Sequence, residues 1–316
     1  MPGFRDPPFF SPNTMIATVI RLAKTVGLAS TVIRKLLVRG STDEASAKVF
    51  AGYAPTEHDV FVATYSKSGT NWGMQMAQQI AYYGEAEFDH IHDLVAWPEA
   101  HFAGIVPLHD PRPQQESPTG KRLIKTALRA PHVPYTEKAT YLSVMRDPKD
   151  VFVSSYHFLF SVFDLFDHIS MEEWLDMYLT NQYPVGPWPD HAASYWAIRD
   201  RPNVLVMPFA EMKKDLPTWV RKAAQTMRVE LNDEQLATIV ERSSFAYMKA
   251  NESKFAPPRM RFIKERGTMM RSGKKGASSE LLSREQQARI DAYCIARLEE
   301  LGSDLPYEDL FDVVRD

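Results

Sequence analysis

The chain has 316 residues, of which 44% are hydrophobic and 24% charged, and its formal net charge is −3. That composition is ordinary for a globular protein with a core, and the charge excludes nucleic-acid binding through an overall basic surface while leaving a local basic site open. Cys294 is the only cysteine, so an internal disulfide and a cysteine-cluster metal site are both excluded and a reducing, cytoplasmic setting is expected.

Residues 14–38 are fairly apolar, but Arg21, Lys24, Arg34 and Lys35 interrupt them. No run reaches the ~18 apolar residues that a membrane span needs. The charge-then-apolar order of a signal peptide is absent. Residues 1–40 are therefore expected to be a helical segment preceding one domain over 41–316. That helix either packs on the domain or lies on a membrane surface. Packing on the domain is the preferred reading, and peripheral membrane contact through 14–38 is the alternative, suggested by Arg5, Arg21, Lys24, Arg34, Lys35 and Arg39 against the lone Asp6.

Asp59–Tyr65 (DVFVATY) predicts a short buried strand, and Gly69–Tyr83 a helix with Trp72, Met76, Gln79 and Ile80 at helical spacing. Pro98–Gly120 predicts a long loop of the kind used for lids and binding segments. Lys121–Thr126 and Ala139–Met145 predict two more strands. A helix over Lys149–Phe160 follows Pro148, a residue suited to a first helical turn. Ser170 with Glu173 predicts a capping box, as does Ser283 with Gln286. Asn203–Met207 predicts a last strand, and Leu216–Met227 and Asn232–Arg242 predict helices. Strands alternating with helices point to an α/β fold, a single domain with a parallel β-sheet flanked by helices.

The strongest local signal is Thr64-Tyr65-Ser66-Lys67-Ser68-Gly69-Thr70-Asn71-Trp72, where a strand gives way to a helix. A helix start presents unpaired N–H groups and partial positive charge. Gly69 permits close approach of an anion, Ser68, Thr70 and Asn71 add donors, and Lys67 adds a full charge. The Walker A order is missing, which speaks against an ordinary ATPase or GTPase. A small-molecule kinase on the same scaffold is a further alternative, disfavoured on the same ground. His90, His92 and Asp93 lie close in sequence, but a solvated loop is expected there and no metal site is assigned.

The segment from Thr64 to Trp72 resembles the 5′-phosphosulfate loop of the cytosolic sulfotransferases, written T-Y-P-K-S-G-T-x-W, with Ser66 at the usual proline. The run from Tyr141 to Phe158, containing Arg146 and Ser154, resembles that family's 3′-phosphate motif. An arginine ending a strand and a serine on the next helix can share one phosphate. Ser243–Asn251 is similar to the stretch that stacks on adenine, which implies Phe245 and Trp72 around the base and Ser244 beside it. Met270–Gly276 resembles the R-K-G-x-x-G loop: Arg271 and Gly273 match, and Ser272 replaces the lysine. The resemblance spans about Asp59 to Gly276. It implies a P-loop-like sulfotransferase fold, 3′-phosphoadenosine 5′-phosphosulfate (PAPS) as donor with PAP as product, and a small-molecule acceptor.

By the same resemblance, Lys67 and Lys125 stabilise the transfer, as charge-stabilising groups do in phosphoryl transfer. The family's usual base histidine falls at Ala127, which cannot accept a proton. His132 is the catalytic candidate carried in its place, with His109 and Asp110 as others. Alternatively the acceptor needs little help, or the protein binds PAPS or PAP with weak or lost catalysis. Trp97, Phe102, Phe158 and Phe160 are expected to line an apolar acceptor pocket for a hydroxyl or amine compound.

Overall fold

The computed structural model describes residues 12–40, 42–100, 104–180, 186–256 and 281–315. Its centre is one all-parallel sheet. The strands are β1 (Asp59–Ala63), β2 (Val95–Ala96), β3 (Arg122–Thr126), β4 (Thr140–Met145) and β5 (Val204–Pro208), in the order β2-β3-β1-β4-β5. β1 and β4 are buried along their whole length, as expected of strands covered on both faces, which need apolar residues without alternation. β2 is too short to leave a pattern in the sequence, and it forms only by pairing Val95 with Leu123 and Ala96 with Ile124. Pro208 closes β5 at the sheet's edge, where a missing N–H does no harm.

Register decides where the chemistry can sit. Ala63 lies opposite Thr126, and Val62 opposite Leu142. The carboxyl ends of β1, β3 and β4 therefore share one edge, the side where open α/β sheets place their ligands.

The sequence divides the helices between the two faces. Before the sheet come α1 (Pro12–Thr25), α2 (Ala29–Gly40) and α3 (Asp43–Val49). α4 (Thr70–Ala81) follows β1, and the short α5 (Arg112–Glu116) lies inside the segment expected to be all loop. α6 (Pro148–Phe163), α7 (Met171–Leu179) and α8 (Trp188–Trp196) separate β4 from β5. After β5 come α9 (Phe209–Lys214), α10 (Leu216–Thr226), α11 (Asp233–Arg242), α12 (Phe245–Ala250), α13 (Arg284–Glu300) and α14 (Tyr307–Leu310). Met74, Ile80, Val220 and Ile239 from α4, α10 and α11 pack on Val60, Val62 and Leu142. Phe152, Trp174, Tyr178, Trp188 and Ile290 from α6, α7, α8 and α13 build a second cluster. Both expected capping boxes form, Ser170 with Glu173 and Ser283 with Gln286.

Two expectations change. The N-terminal segment is a pair of helices, turned by Gly27 in a left-handed conformation, rather than one helix. Ile20 and Ile33 bury themselves in the α6–α8 cluster, and Lys24 pairs with Asp164 at 2.5 Å. His90 and His92 do not sit in a solvated loop. Both are buried, His92 binds the Val95 carbonyl at 2.9 Å, and its ring stacks on Trp97. Burial then pushes the His92 pKa well below its ordinary value. Among the described residues no group of His, Cys, Asp or Glu could hold a metal ion.

α6 is pinned to α13 by a buried ion pair. Lys149, only 2% exposed, holds Asp291 at 2.6 Å. Asp291 also accepts from the Tyr307 hydroxyl at 2.6 Å and from the Val314 N–H at 2.8 Å. Removing Asp291 leaves the buried Lys149 with only the longer contact to Asp147 at 3.3 Å, and breaking a buried pair in this way costs about 3–5 kcal/mol. Asp291→Ala is therefore expected to lower unfolding free energy by that amount in urea titration. A double Lys149→Met/Asp291→Leu variant is expected to recover much of it.

Candidate anion site and its cations

The loop between β1 and α4 is anchored before it opens. The Thr64 N–H donates to the Thr126 carbonyl at 3.0 Å, and the Val144 N–H donates to the Thr64 hydroxyl at 3.3 Å. Lys67 adopts φ 67° and Gly69 φ 107°, left-handed values that strain a side chain and suit glycine. A Cβ on Gly69 would lie 3.0 Å from the Phe209 ring, so glycine is required by space as well as by conformation. Ser68 is fully buried, and its hydroxyl has no hydrogen-bond partner. A buried, unpartnered donor beside the first turn of a twelve-residue helix is what an anion-binding loop requires.

Three cations converge on this edge. The Lys67 ammonium rests on the Phe158 ring, 3.8 Å from its centroid, and the Lys125 ammonium on Trp97 at 3.3 Å. Arg146 lies over Phe209 at 4.7 Å, donates to the Lys67 carbonyl at 3.4 Å, and pairs with Asp150 at 3.4 Å. Burial, with Arg146 and Lys125 as like-charged neighbours, brings the Lys67 pKa down to about 7. Burial brings Lys125 down to about 8 against the opposing pull of Glu99. These cations have aromatic faces beneath them, so an arriving anion would relieve their mutual repulsion.

The other residues expected at the site fall around it. Thr70 opens α4. Asn71 donates to the Phe255 carbonyl at 3.4 Å, and the Trp72 indole donates to the Ser243 carbonyl at 2.8 Å. The Trp72 bond draws the start of α12 to α4. Ser244 caps α12 by accepting from the Tyr247 N–H at 3.1 Å. Phe245 beside it is 47% exposed, with a free aromatic surface. Ser154 is half-buried on α6, past Asp150. Arg271, Ser272, Gly273 and Phe102 lie outside the described residues.

Not every expected residue joins the group. Phe160 is wholly buried between Tyr156, Phe166 and Trp174, and is core rather than pocket wall. The His132 ring is engaged by Arg129 at 3.1 Å and Asp43 at 3.3 Å. His109 packs on Tyr53, and Asp110 is taken by Arg112 at 2.5 Å. Two residues had no sequence signal. Phe209 shapes the Gly69 loop and carries Arg146. Glu99 accepts from the Ala127 N–H at 2.8 Å. Each reaches the site from a distant part of the chain.

With this geometry in place, the class is defined by comparison. The sulfotransferase-domain family matches residues 57–302, and the chain belongs to that family. It is similar to sulfotransferase 2A1 of Macaca fascicularis, with 28% identity over 85% of this chain and 93% of that one. It is also similar to luciferin sulfotransferase of Photinus pyralis, with 30% identity over 72% and 69%. The fold matches retinol dehydratase crystallised with retinol and PAP, with TM-score 0.68 and 21% identity over 83% of this chain and 86% of that one. A mouse sulfotransferase complexed with PAP superposes with TM-score 0.64 and 23% identity over 86% and 94%.

The lowered lysine pKa values give a test that needs no substrate. At pH 8, Lys67 is largely neutral in the free protein. A bound polyanion favours the charged form and raises that pKa, so binding takes up protons. Calorimetry with pyrophosphate in buffers of different ionisation enthalpy is expected to show proton uptake at pH 8. The uptake should shrink at pH 6 and be reduced in Lys67→Ala.

Proposed function

We propose that this chain transfers a sulfuryl group from PAPS to a hydroxyl or amine of a small, hydrophobic acceptor in a cytoplasmic setting. The carrying observation is the cradle at one sheet edge: a buried unpartnered Ser68 hydroxyl, Gly69 pressed against Phe209, and Lys67 brought to about 7 by burial. Those residues fit a phosphosulfate. Lys67, Ser68, Gly69, Thr70 and Asn71 hold its 5′ end. Arg146 and Ser154, with Arg271, Ser272 and Gly273, hold the 3′-phosphate. Trp72, Ser244 and Phe245 hold the adenine.

PAPS supplies the activated sulfur–oxygen bond. Lys67 and the α4 N-terminus stabilise the charge that develops on the leaving oxygen, and Lys125 stands beside the group in transfer. Trp97 and Phe158, the rings beneath the two lysines, give the acceptor side an apolar wall. Structural neighbours bound to retinol and androsterone, and a relative named for luciferin, support an apolar acceptor.

Transfer of labelled sulfate from PAPS to a panel of phenols, sterols, alcohols and amines tests this function. At least one acceptor is expected to be sulfated, and Lys67→Ala is expected to lower kcat by about 10²–10³-fold, the worth of one oxyanion donor. Tight PAP binding without turnover on any acceptor would select the alternative, a nucleotide-binding protein without transfer.

The N-terminal helix pair favours a membrane surface as a partner. Val19, Leu22, Val26 and Leu28 are exposed around its turn, with Arg21 and Lys35 exposed on the same two helices. Exposed apolar side chains beside cations suit an anionic bilayer interface. The protein is expected to float with vesicles containing phosphatidylserine and not with neutral ones. Leu22→Glu/Leu28→Glu should abolish flotation.

A further inference from the structure

A hydroxyl acceptor must lose its proton as it is sulfated; Ala127 cannot take it, and the His132 ring is already engaged by Arg129 and Asp43. We propose that Glu99 is the general base of the reaction, receiving the acceptor's proton on Oε2. This rests on the sulfotransferase function proposed above and adds the residue that completes it.

The case begins with geometry. Glu99 follows Trp97 closely, in the segment that leaves β2, and it folds back onto the end of β3. Its Oε1 accepts from the Ala127 N–H at 2.8 Å. That fixes the carboxylate at the carboxyl edge of the sheet, next to Ala127, which carries only a methyl group. The other oxygen, Oε2, is enclosed and makes no hydrogen bond of good geometry among the described residues, although the Thr126 hydroxyl lies near enough to the carboxylate to favour its charged form. A buried carboxylate oxygen without a donor is costly unless a ligand supplies one. An acceptor O–H is such a donor, and Lys125, on Trp97, stands beside the same spot.

Titration supports the role. Burial raises the Glu99 pKa to about 7, against the lowering pull of the Ala127 N–H, the Thr126 hydroxyl and Lys125. A base poised near the working pH is the most effective one. The charged and titratable groups facing it are Lys125 from β3 and Tyr195 from α8, with His92 behind Lys125. Tyr195, pushed well above its ordinary value by burial, stays neutral. His191, also on α8, has an enclosed and unpartnered Nε2. Burial and Arg129 hold its pKa near 3, which makes it a poor proton acceptor.

The step balances. The acceptor O–H bond breaks and its proton passes to Glu99 Oε2. The acceptor oxygen bonds to sulfur, and the bond from sulfur to the phosphate oxygen breaks. That electron pair stays on the phosphate oxygen, near Lys67. Glu99 then returns its proton to solvent.

Glu99→Gln keeps the shape and the Ala127 hydrogen bond while removing the base. On the ligand-free protein, infrared difference titration of wild type against this variant should show a carboxylic-acid band that titrates near pH 7 and vanishes in the variant. With PAPS and a weakly acidic phenol, kcat should fall about 10²–10⁴-fold with PAP affinity unchanged. The loss should fade for nitrophenols that ionise without help. Glu99→Gln/Ala127→His should regain part of the rate. The proposal is overturned if Glu99→Gln keeps the wild-type kcat on the weakly acidic phenol, if no such band titrates, or if His191→Gln rather than Glu99→Gln carries the loss. Failure of the wild type to bind PAP would have a different signature and would overturn the proposed function itself.

Discussion

Positive charge crowded onto the carboxyl edge of a parallel sheet is the constraint around which this molecule is organised. Lys67, Lys125 and Arg146 arrive from the ends of β1, β3 and β4 because those strands run in register. Burial strips both lysines of solvation, and Lys67 also feels Arg146 and Lys125, so the two pKa values fall. The protein tolerates this by seating each cation on an aromatic face: Phe158, Trp97 and Phe209. Pairing every cation with a carboxylate would be cheaper for stability and would leave nothing to receive an anion.

The scaffold around that edge is correspondingly rigid. Thr64 ties the start of the phosphate loop to both neighbouring strands, so the left-handed Lys67 and Gly69 are held from outside rather than by local preference. On the far side of Arg146, the Lys149–Asp291 pair fixes the first turn of α6 against α13. A buried ion pair is a weak source of net stability, but it specifies how two elements meet. Here it sets the start of the helix that carries Ser154 and Phe158, and so couples α13 to the site.

The same edge separates two chemistries. On one side lies the cradle of backbone N–H groups and hydroxyls suited to phosphate. On the other, in the function proposed here, Trp97 and Phe158, the rings under the two lysines, would face an acceptor together with the Glu99 carboxylate. Transfer between a highly charged donor and an apolar acceptor needs both environments within bonding distance, and a strand-end cluster flanked by loops supplies them. In the proposed function the long segment after β2 serves the acceptor side and the β1–α4 unit the donor side.

The strand–loop–helix unit around Gly69, the capping boxes and four of the five strands were legible in the amino-acid sequence. Each is a local matter: an apolar run, a helix start, or a turn whose residue types must satisfy nearby backbone groups. The split of the N-terminal segment at Gly27 was also written locally but was hidden by the same mixture of apolar and basic residues on both sides. What only the tertiary structure decided depends on contacts between distant segments. β2 exists because β3 offers it an edge. Phe160 faces core because α7 covers it. His132 is drawn to Asp43, and Glu99 is carried onto the Ala127 N–H by a loop with no periodicity to read. Whether a side chain is a base or a bystander is set by its burial and partners, and those come from parts of the chain that the local sequence does not contain.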